Sequence, residues 1–405
     1  IVYTTWNDNL LGSVRVAVAE PGQPAGRVVT QRPGHYGHPV FSPDGETIVF
    51  ERRGGGHLTS PLWSRDPGIC RVAAAGGRAE RISKTGFRPG FGADSDRVYY
   101  LKRQSDKSAD HLQYCSMDLS GNQQRVHYTS LWATDYRISP DRKWIAFIER
   151  FRVYVAPFVE AGRPITVGPG GKGLPVIQAS QQAGDWIHFS GDSQRLHWAL
   201  GPQLYTHTLS LRVAGSESPP EPSQPRQIGF QVVQDRPQGT LALIGGRLLT
   251  MGPLGEIADG SVVIEGNRIV AIGPTAEVEI PQDAQRVELN GRTVLPGLID
   301  THAHGAQAAG GVTPQKNWID YARLAFGGTT IHDPSNDTHS IFAASEMARA
   351  GVIVAPRTFS TGTILYGAAG ANKAEIDSLE DALFHLRRMQ AVGAFTVKSY
   401  NQPRR

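Results

Sequence analysis

Four short stretches of the chain are variants of one another: FSPDG at 41–45, FGADS at 91–95, ISPDR at 138–142 and FSGDS at 189–193. Their aspartates, Asp44, Asp94, Asp141 and Asp192, stand 50, 47 and 51 residues apart. Each is followed by a short run of β-type residues: ETIVFER, DRVYYLKR, KWIAFIER and QRLHWAL. A further apolar strand and a polar turn come next, as in RVYVAPFVEAG and LYTHTLSL. A period of this length with several strands per unit predicts the blades of a β-propeller. The repeated aspartates are predicted to shape tight turns between strands rather than to perform chemistry. The opening IVYTTWNDN reads as the last part of an earlier blade.

Composition agrees with a turn-rich β architecture, with 46 glycines and 27 prolines in 405 residues. The 41 basic and 37 acidic residues leave a formal charge of only +4, scattered along the chain, which argues against a nucleic-acid partner. No apolar run reaches the roughly 18 residues a membrane-spanning helix needs, so no membrane span is expected. The first residue is Ile1, and a natural start with any signal peptide is expected to precede it. Cys70 and Cys115 hold equivalent places in neighbouring repeats and are predicted to be buried, unbridged small hydrophobes. GPGGKG at 168–173 lacks the lysine–serine/threonine ending of a phosphate-binding loop, and no GxSxG nucleophile elbow occurs.

Residues 216–239 form a Pro-rich connector, SESPPEPSQPRQ, with one returning strand expected at Phe230–Gln234. From Thr240 to Arg292 the pattern changes to short strands with glycine turns, including a tight hairpin around Gly266-Asn267. From 294 onward strand and helix signals alternate, which implies parallel strands joined by crossover helices. The expected strands are Val294–Asp300, Thr329–His332, Val352–Phe359 and Phe395–Tyr400. The expected helices are Pro314–Phe326, Ser340–Ala350 and Glu375–Val392, the last with an apolar stripe of Ile376, Leu379, Leu383, Leu386 and Met389. A full (β/α)8 barrel takes about 250 residues. Only 108 residues follow Gly297, so the expectation is half a barrel, part of a longer protein or completed by a partner.

The chemistry concentrates in GLIDTHAHG, 297–305. Residues two apart on a strand share a face, so His302, His304 and Asp300 are expected to project together. Two neutral imidazoles side by side at a strand end make the first half of a zinc-type site; otherwise they are loop histidines without a ligand. Asp300 either orients a ligand histidine or satisfies loop amides. In AFTVKSY, Lys398 shares a face with Thr396 and Tyr400 and is expected to point into the barrel near its C-terminal mouth. It bridges metal there, or it snorkels to solvent or pairs with an acid. His332 ends the second strand facing inward, as a contact to the site or as a hydrogen-bonded structural histidine. Tyr366, in the loop after the third strand, is a candidate for lining a substrate pocket. His339 and His385 are expected on helix surfaces.

GLIDTHAHG resembles the metal-binding signature of the amidohydrolase superfamily at the end of the first barrel strand. The repeats resemble TolB-type (PD40-like) propeller blades. Together they resemble bacterial proteins in which such a propeller precedes an imidazolonepropionase-like amidohydrolase. The resemblance implies a multi-domain chain: propeller blades at 1–215, a linker at 216–239, an amidohydrolase β-sandwich at 240–293, and the first four strands of a (β/α)8 barrel at 294–405. It implies a metal-dependent hydrolase acting on C–N bonds of amides, cyclic amides or dipeptides, using one or two divalent ions, most naturally zinc. His302 and His304 would be ligands and Lys398 a carboxylated bridge, with the remaining ligands and the catalytic aspartate beyond residue 405. This chain alone would then be inactive. A small-molecule or peptide substrate is implied, with a protein partner through the propeller and a homo-oligomer both open. The TolB likeness favours a periplasmic or secreted location. The alternative is a propeller-based scaffold with a non-catalytic barrel.

Overall fold

The computed structural model describes residues 1–405 except 21, 23–24, 56–57, 59–65, 106–109, 172, 210–223, 367–375 and 401–405. It is mostly β-strand in several small sheets, with three helices among the described residues. Val2–Thr5, Ser13–Val16 and Arg27–Val28 form the first sheet. Three four-stranded sheets and one five-stranded sheet follow, their first strands being Tyr36–Phe41, Phe87–Phe91, Ala133–Ile138 and Asp185–Phe189. Each sequence repeat thus builds one sheet, with the aspartate pentad at the turn between its first and second strands. Among the described residues no ladder joins the first of these sheets to the last.

The turns show why the pentads recur. Ser42 Oγ donates to Asp44 Oδ1 at 2.5 Å, Asp44 Oδ1 accepts from the Glu46 N–H at 3.0 Å, and Ser42 Oγ accepts from the Thr47 N–H at 2.9 Å. Ser139 with Asp141, and Ser190 with Asp192, reproduce this set. In the second repeat Gly92 stands in place of the serine, and Asp94 instead accepts from Arg142 of the next turn at 2.5 Å. Successive turns also touch directly. The Asp44 N–H donates to Ser95 and the Asp141 N–H to Ser193.

The sheets stack face to face in chain order. Between the second and third repeats, Tyr99, Tyr114, Tyr136, Phe147 and Tyr154 interleave, with the Tyr114 and Tyr136 ring centroids 5.7 Å apart across the two sheets. Trp144–Glu149 is buried at every position because it is covered on both faces. Cys70 and Cys115 lie on the third strands of adjacent sheets, buried and unbridged, as expected.

The linker departs from expectation. Phe230–Gln234 is not a strand, and Phe230 and Val233 are 87% and 97% exposed. Arg226–Gln227 is the segment that pairs back onto Gln203–Thr208. Residues 240–294 make one sheet from Thr240–Leu249, Glu256–Glu265, Arg268–Pro274, Gln285–Glu288 and Thr293–Val294. The hairpin turns through Gly266 at φ +56°, a backbone conformation that favours glycine. A second, facing layer of a sandwich is not present among the described residues.

The expected first barrel strand is divided. Thr293–Val294 belongs to the small sheet, and only Leu298–Asp300 pairs in parallel with Gly328–Asp333, which pairs in turn with Arg357–Ser360. Pro296-Gly297 marks the break. Helix α1, Trp318–Ala325, starts later than expected because Asn317 caps it by accepting from the Ile319 N–H; Pro314 stays outside. Helix α2, Thr338–Ala350, is capped by Asp337 and stops at Gly351 in the left-handed conformation. Helix α3, Leu379–Ala391, is capped by Ser378. The expected start of this helix at Glu375 lies outside the described residues. The fourth strand shortens to Ser399–Tyr400 and pairs with Leu365–Tyr366.

The stripe expected to bury α3 does so only at Met389; Leu379, Leu383 and Leu386 are exposed. Its packed face instead meets the β-sheet region. His385 is 4% exposed, against Phe151, and the Arg388 guanidinium lies 3.7 Å from the Phe151 ring centroid. His385 is therefore not a surface residue. His339 is exposed as expected, but it is not unengaged: its Nε2 lies 3.2 Å from Asp185 of the last repeat.

Candidate functional site

The parallel strands aim their C-terminal ends at the loop 301–312. Thr330 to Asp333 alternate in burial, with Ile331 and Asp333 both 1% exposed on the helix side and His332 on the open side. On that open side Ile299 is 67% exposed, and Phe395 meets both Phe359 and His332 edge-on.

His302 and His304 come together, with ring centroids 5.0 Å apart and planes at 78°. Two contacts fix the turn that carries them. The His302 N–H donates to Asp300 Oδ1 at 3.0 Å, and the Ala303 N–H donates to the His332 carbonyl at 3.0 Å. The Asp300 carboxylate therefore satisfies a loop amide, one of the two roles open to it. Arg323, on α1, donates to the His304 carbonyl at 2.8 Å and to the buried carboxylate of Asp320 at 3.1 Å. Burial holds the Asp320 carboxyl above its ordinary pKa, against the hydrogen bonds of Gln307 and Arg323.

The residue that orients a histidine ring is one the sequence reading passed over. His304 Nδ1 lies 3.0 Å from Asp333 Oδ1. Asp333 also accepts from the Ser335 N–H and from Asn336 Nδ2, which bridges to the Gly305 carbonyl. A carboxylate only accepts, so Nδ1 of His304 carries a proton, and in the neutral ring the lone pair is on Nε2. The signal was available in strand parity. Asp333 shares its face with Ile331 at the end of the second strand, beside the strand end that delivers the histidines.

The other expected residues fall as follows. His332 Nε2 bonds Thr396 Oγ1 at 2.8 Å, the arrangement of a hydrogen-bonded structural histidine. Lys398 lies just before the short fourth strand, partly exposed, and its carbonyl accepts from the Leu365 N–H at 2.9 Å. Tyr366 is on the strand paired with Ser399–Tyr400, and its side chain lies outside the described residues.

The donor set fits part of a zinc-type site. It offers two adjacent imidazoles, one with its tautomer set by a buried carboxylate. No group of three or more His, Cys, Asp or Glu side chains gathers to hold a metal ion among the described residues.

No protein-family model matches the chain, and no curated protein matches it in sequence. Among solved structures, it is similar to a Bifidobacterium longum protein assigned as a prolidase, at 22% identity over 38% of this chain and 39% of that chain, TM-score 0.34. It is similar to a Xaa-Pro dipeptidase with methionine bound in its active site, at 20% identity over 39% of this chain and 46% of that one, TM-score 0.32. It is also similar to a molinate hydrolase, at 24% identity over 38% of this chain and 39% of that one, TM-score 0.29. The chain spans less than half the length of each of these three structures. No helix among the described residues is long and apolar enough to cross a membrane.

Proposed function

We propose that this chain carries the first part of the metal site of an amidohydrolase-type hydrolase acting on C–N bonds. The observation that carries the reading is the paired imidazoles of His302 and His304, with Nδ1 of His304 held by buried Asp333. A bound zinc-type ion would supply water activation and carbonyl polarisation. The chain's own residues do the positioning. Asp300 sets the turn at His302, Asp333 sets the His304 tautomer, and Arg323 fixes the His304 carbonyl from α1.

Lys398 is proposed as a further ligand in carboxylated form, its amine adding to CO2 with release of a proton. The repeats are proposed as TolB-type propeller blades, and the sheet at 240–294 as one layer of the small sandwich. Cyclic amides or dipeptides are the proposed substrates of the whole protein.

The test is a zinc titration of 15N-labelled protein followed through histidine ring nitrogens. Nε2 resonances of His302 and His304 should shift together while His304 stays protonated at Nδ1. Shifts at other histidines, with these two unmoved, would refute the site. Mass spectrometry under CO2 should show a gain of one CO2 on Lys398 that Lys398→Ala abolishes; no gain would remove Lys398 from the ligand set.

A further inference from the structure

The first strands of the four repeat sheets share an irregularity. Pairing with the second strand slips between Gly37 and Val40, Phe87 and Gly90, Ala133 and Asp135, and Asp185 and His188. In three of these bulges a large residue sits in the left-handed region: His38 at φ +47°, Arg88 at +50° and Trp186 at +59°. That conformation costs a non-glycine residue about 1 kcal/mol or more. Glycine would adopt it freely, yet the bulges carry an imidazole, a guanidinium and an indole.

These side chains meet a concentrated charge cluster. Arg88 Nη1 and Arg137 Nη1 both reach Asp135, at 2.7 and 3.3 Å. Glu51 accepts from the Arg88 N–H at 2.9 Å and holds Arg53 at 2.8 Å. The two carboxylates are nearly sealed, their side chains 3% and 7% exposed, whereas the three arginine side chains are 24–29% exposed. Three guanidiniums thus face two carboxylates, and His38 brings no compensating anion. Burial, followed by the charges of Arg53, Arg88 and Arg137, pushes the His38 pKa down to about 3, so it is neutral at physiological pH. Arg88 also lies 5.7 Å from the centroid of the Trp186 ring, which is 53% exposed and rests on His339 of α2. Asp185 is paired with that same histidine.

We propose that Arg88 and Arg137, fixed from below by Asp135 and backed by Arg53, form a binding site for an oxyanion, a carboxylate or phosphate group. The buried carboxylates hold the planar forks in place, and an incoming anion meets donors that lose little freedom on binding. The excess positive charge and the partial exposure make the site accessible and salt-sensitive. Arg53 also donates to the Gly310 carbonyl of the loop that carries the histidine pair, but the partners of the Arg88 and Arg137 guanidiniums are Asp135, Tyr136 and Trp186, and the site does not depend on the hydrolase reading.

Calorimetry on the full chain at low ionic strength tests it, with inorganic phosphate and tricarballylate as probes. Saturable one-to-one binding of at least one probe is expected, and the preferred probe identifies phosphate or carboxylate as the ligand group. Arg137→Gln, which leaves Asp135 paired with Arg88, should weaken binding at least tenfold with an unchanged circular dichroism spectrum. His302→Ala with His304→Ala should leave binding unaltered. Absence of saturable binding by either probe, or binding indifferent to Arg137→Gln, would overturn the site.

Discussion

Asp333 Oδ1 lies 3.0 Å from Nδ1 of His304, joining the buried end of one parallel strand to the exposed histidine that follows its neighbour. A contact of this kind sets which ring nitrogen is free to bind metal, and its loss typically lowers metal affinity about 10–100-fold. Asparagine keeps the shape but removes the charge, and its single carbonyl oxygen can keep the bond from the Ser335 N–H or the one from Asn336 Nδ2, not both. Asp333→Asn should therefore raise the zinc dissociation constant about tenfold in a competition titration. Unchanged affinity would show that Asp333 does not tune the histidine.

Acid should destabilise the protein before its carboxylates titrate. Burial, helped by the charges of Arg388 and Arg152, pushes the His385 pKa down to about 4, and burial does the same for His127. An unfolded histidine titrates near 6.5, so between about 6.5 and 4 the unfolded chain binds protons that the folded chain refuses. The stability these neutral histidines contribute is full above about 6.5 and is lost as pH falls towards 4, on the order of 2–3 kcal/mol for each group. Urea unfolding at pH 7.5, 5.5 and 4.5 should show this decline, and His385→Leu should make it shallower. An equal decline in the variant would exclude His385 as a contributor.

Much of this molecule was legible because short-range chemistry dictates it. Serine–aspartate turns, alternating strands and glycine at the end of α2 are local decisions, and the repeats did become separate sheets. Strand parity led to the expectation that His302 and His304 project together, but the two stand on the turn after Leu298–Asp300, which the Asp300 carboxylate and the His332 carbonyl set. The misses came from packing between distant segments. The apolar stripe of α3 predicts that its leucines face a core, but the helix lies with Phe384 against Arg152 and with His385 and Arg388 against Phe151, at the start of a strand of the third repeat sheet. Phe230–Gln234 looked like a strand but has no partner strand, while the polar pair Arg226–Gln227 found one. Asp333 was passed over because its partner is 29 residues away in sequence.

Ser378 decides where α3 begins, since its Oγ accepts from the Asp381 N–H at 3.1 Å. Loss of such a cap costs about 1 kcal/mol. Ser378→Ala should lower unfolding free energy by about that amount, while Ser378→Thr, which keeps both the acceptor and the hydroxyl that donates to Asp381 Oδ2 at 2.9 Å, should retain most of it. A loss of less than about 0.3 kcal/mol would mean that packing against the sheets, rather than the cap, fixes this end.

The metal content of the protein after equilibrium dialysis against zinc tests the histidine pair most directly. Zinc should be retained by the wild-type chain and lost from the His302→Ala, His304→Ala double variant, with both proteins equally folded by circular dichroism. Zinc retained to the same extent by the double variant, or none retained by the wild type, would contradict a zinc site at the histidine pair.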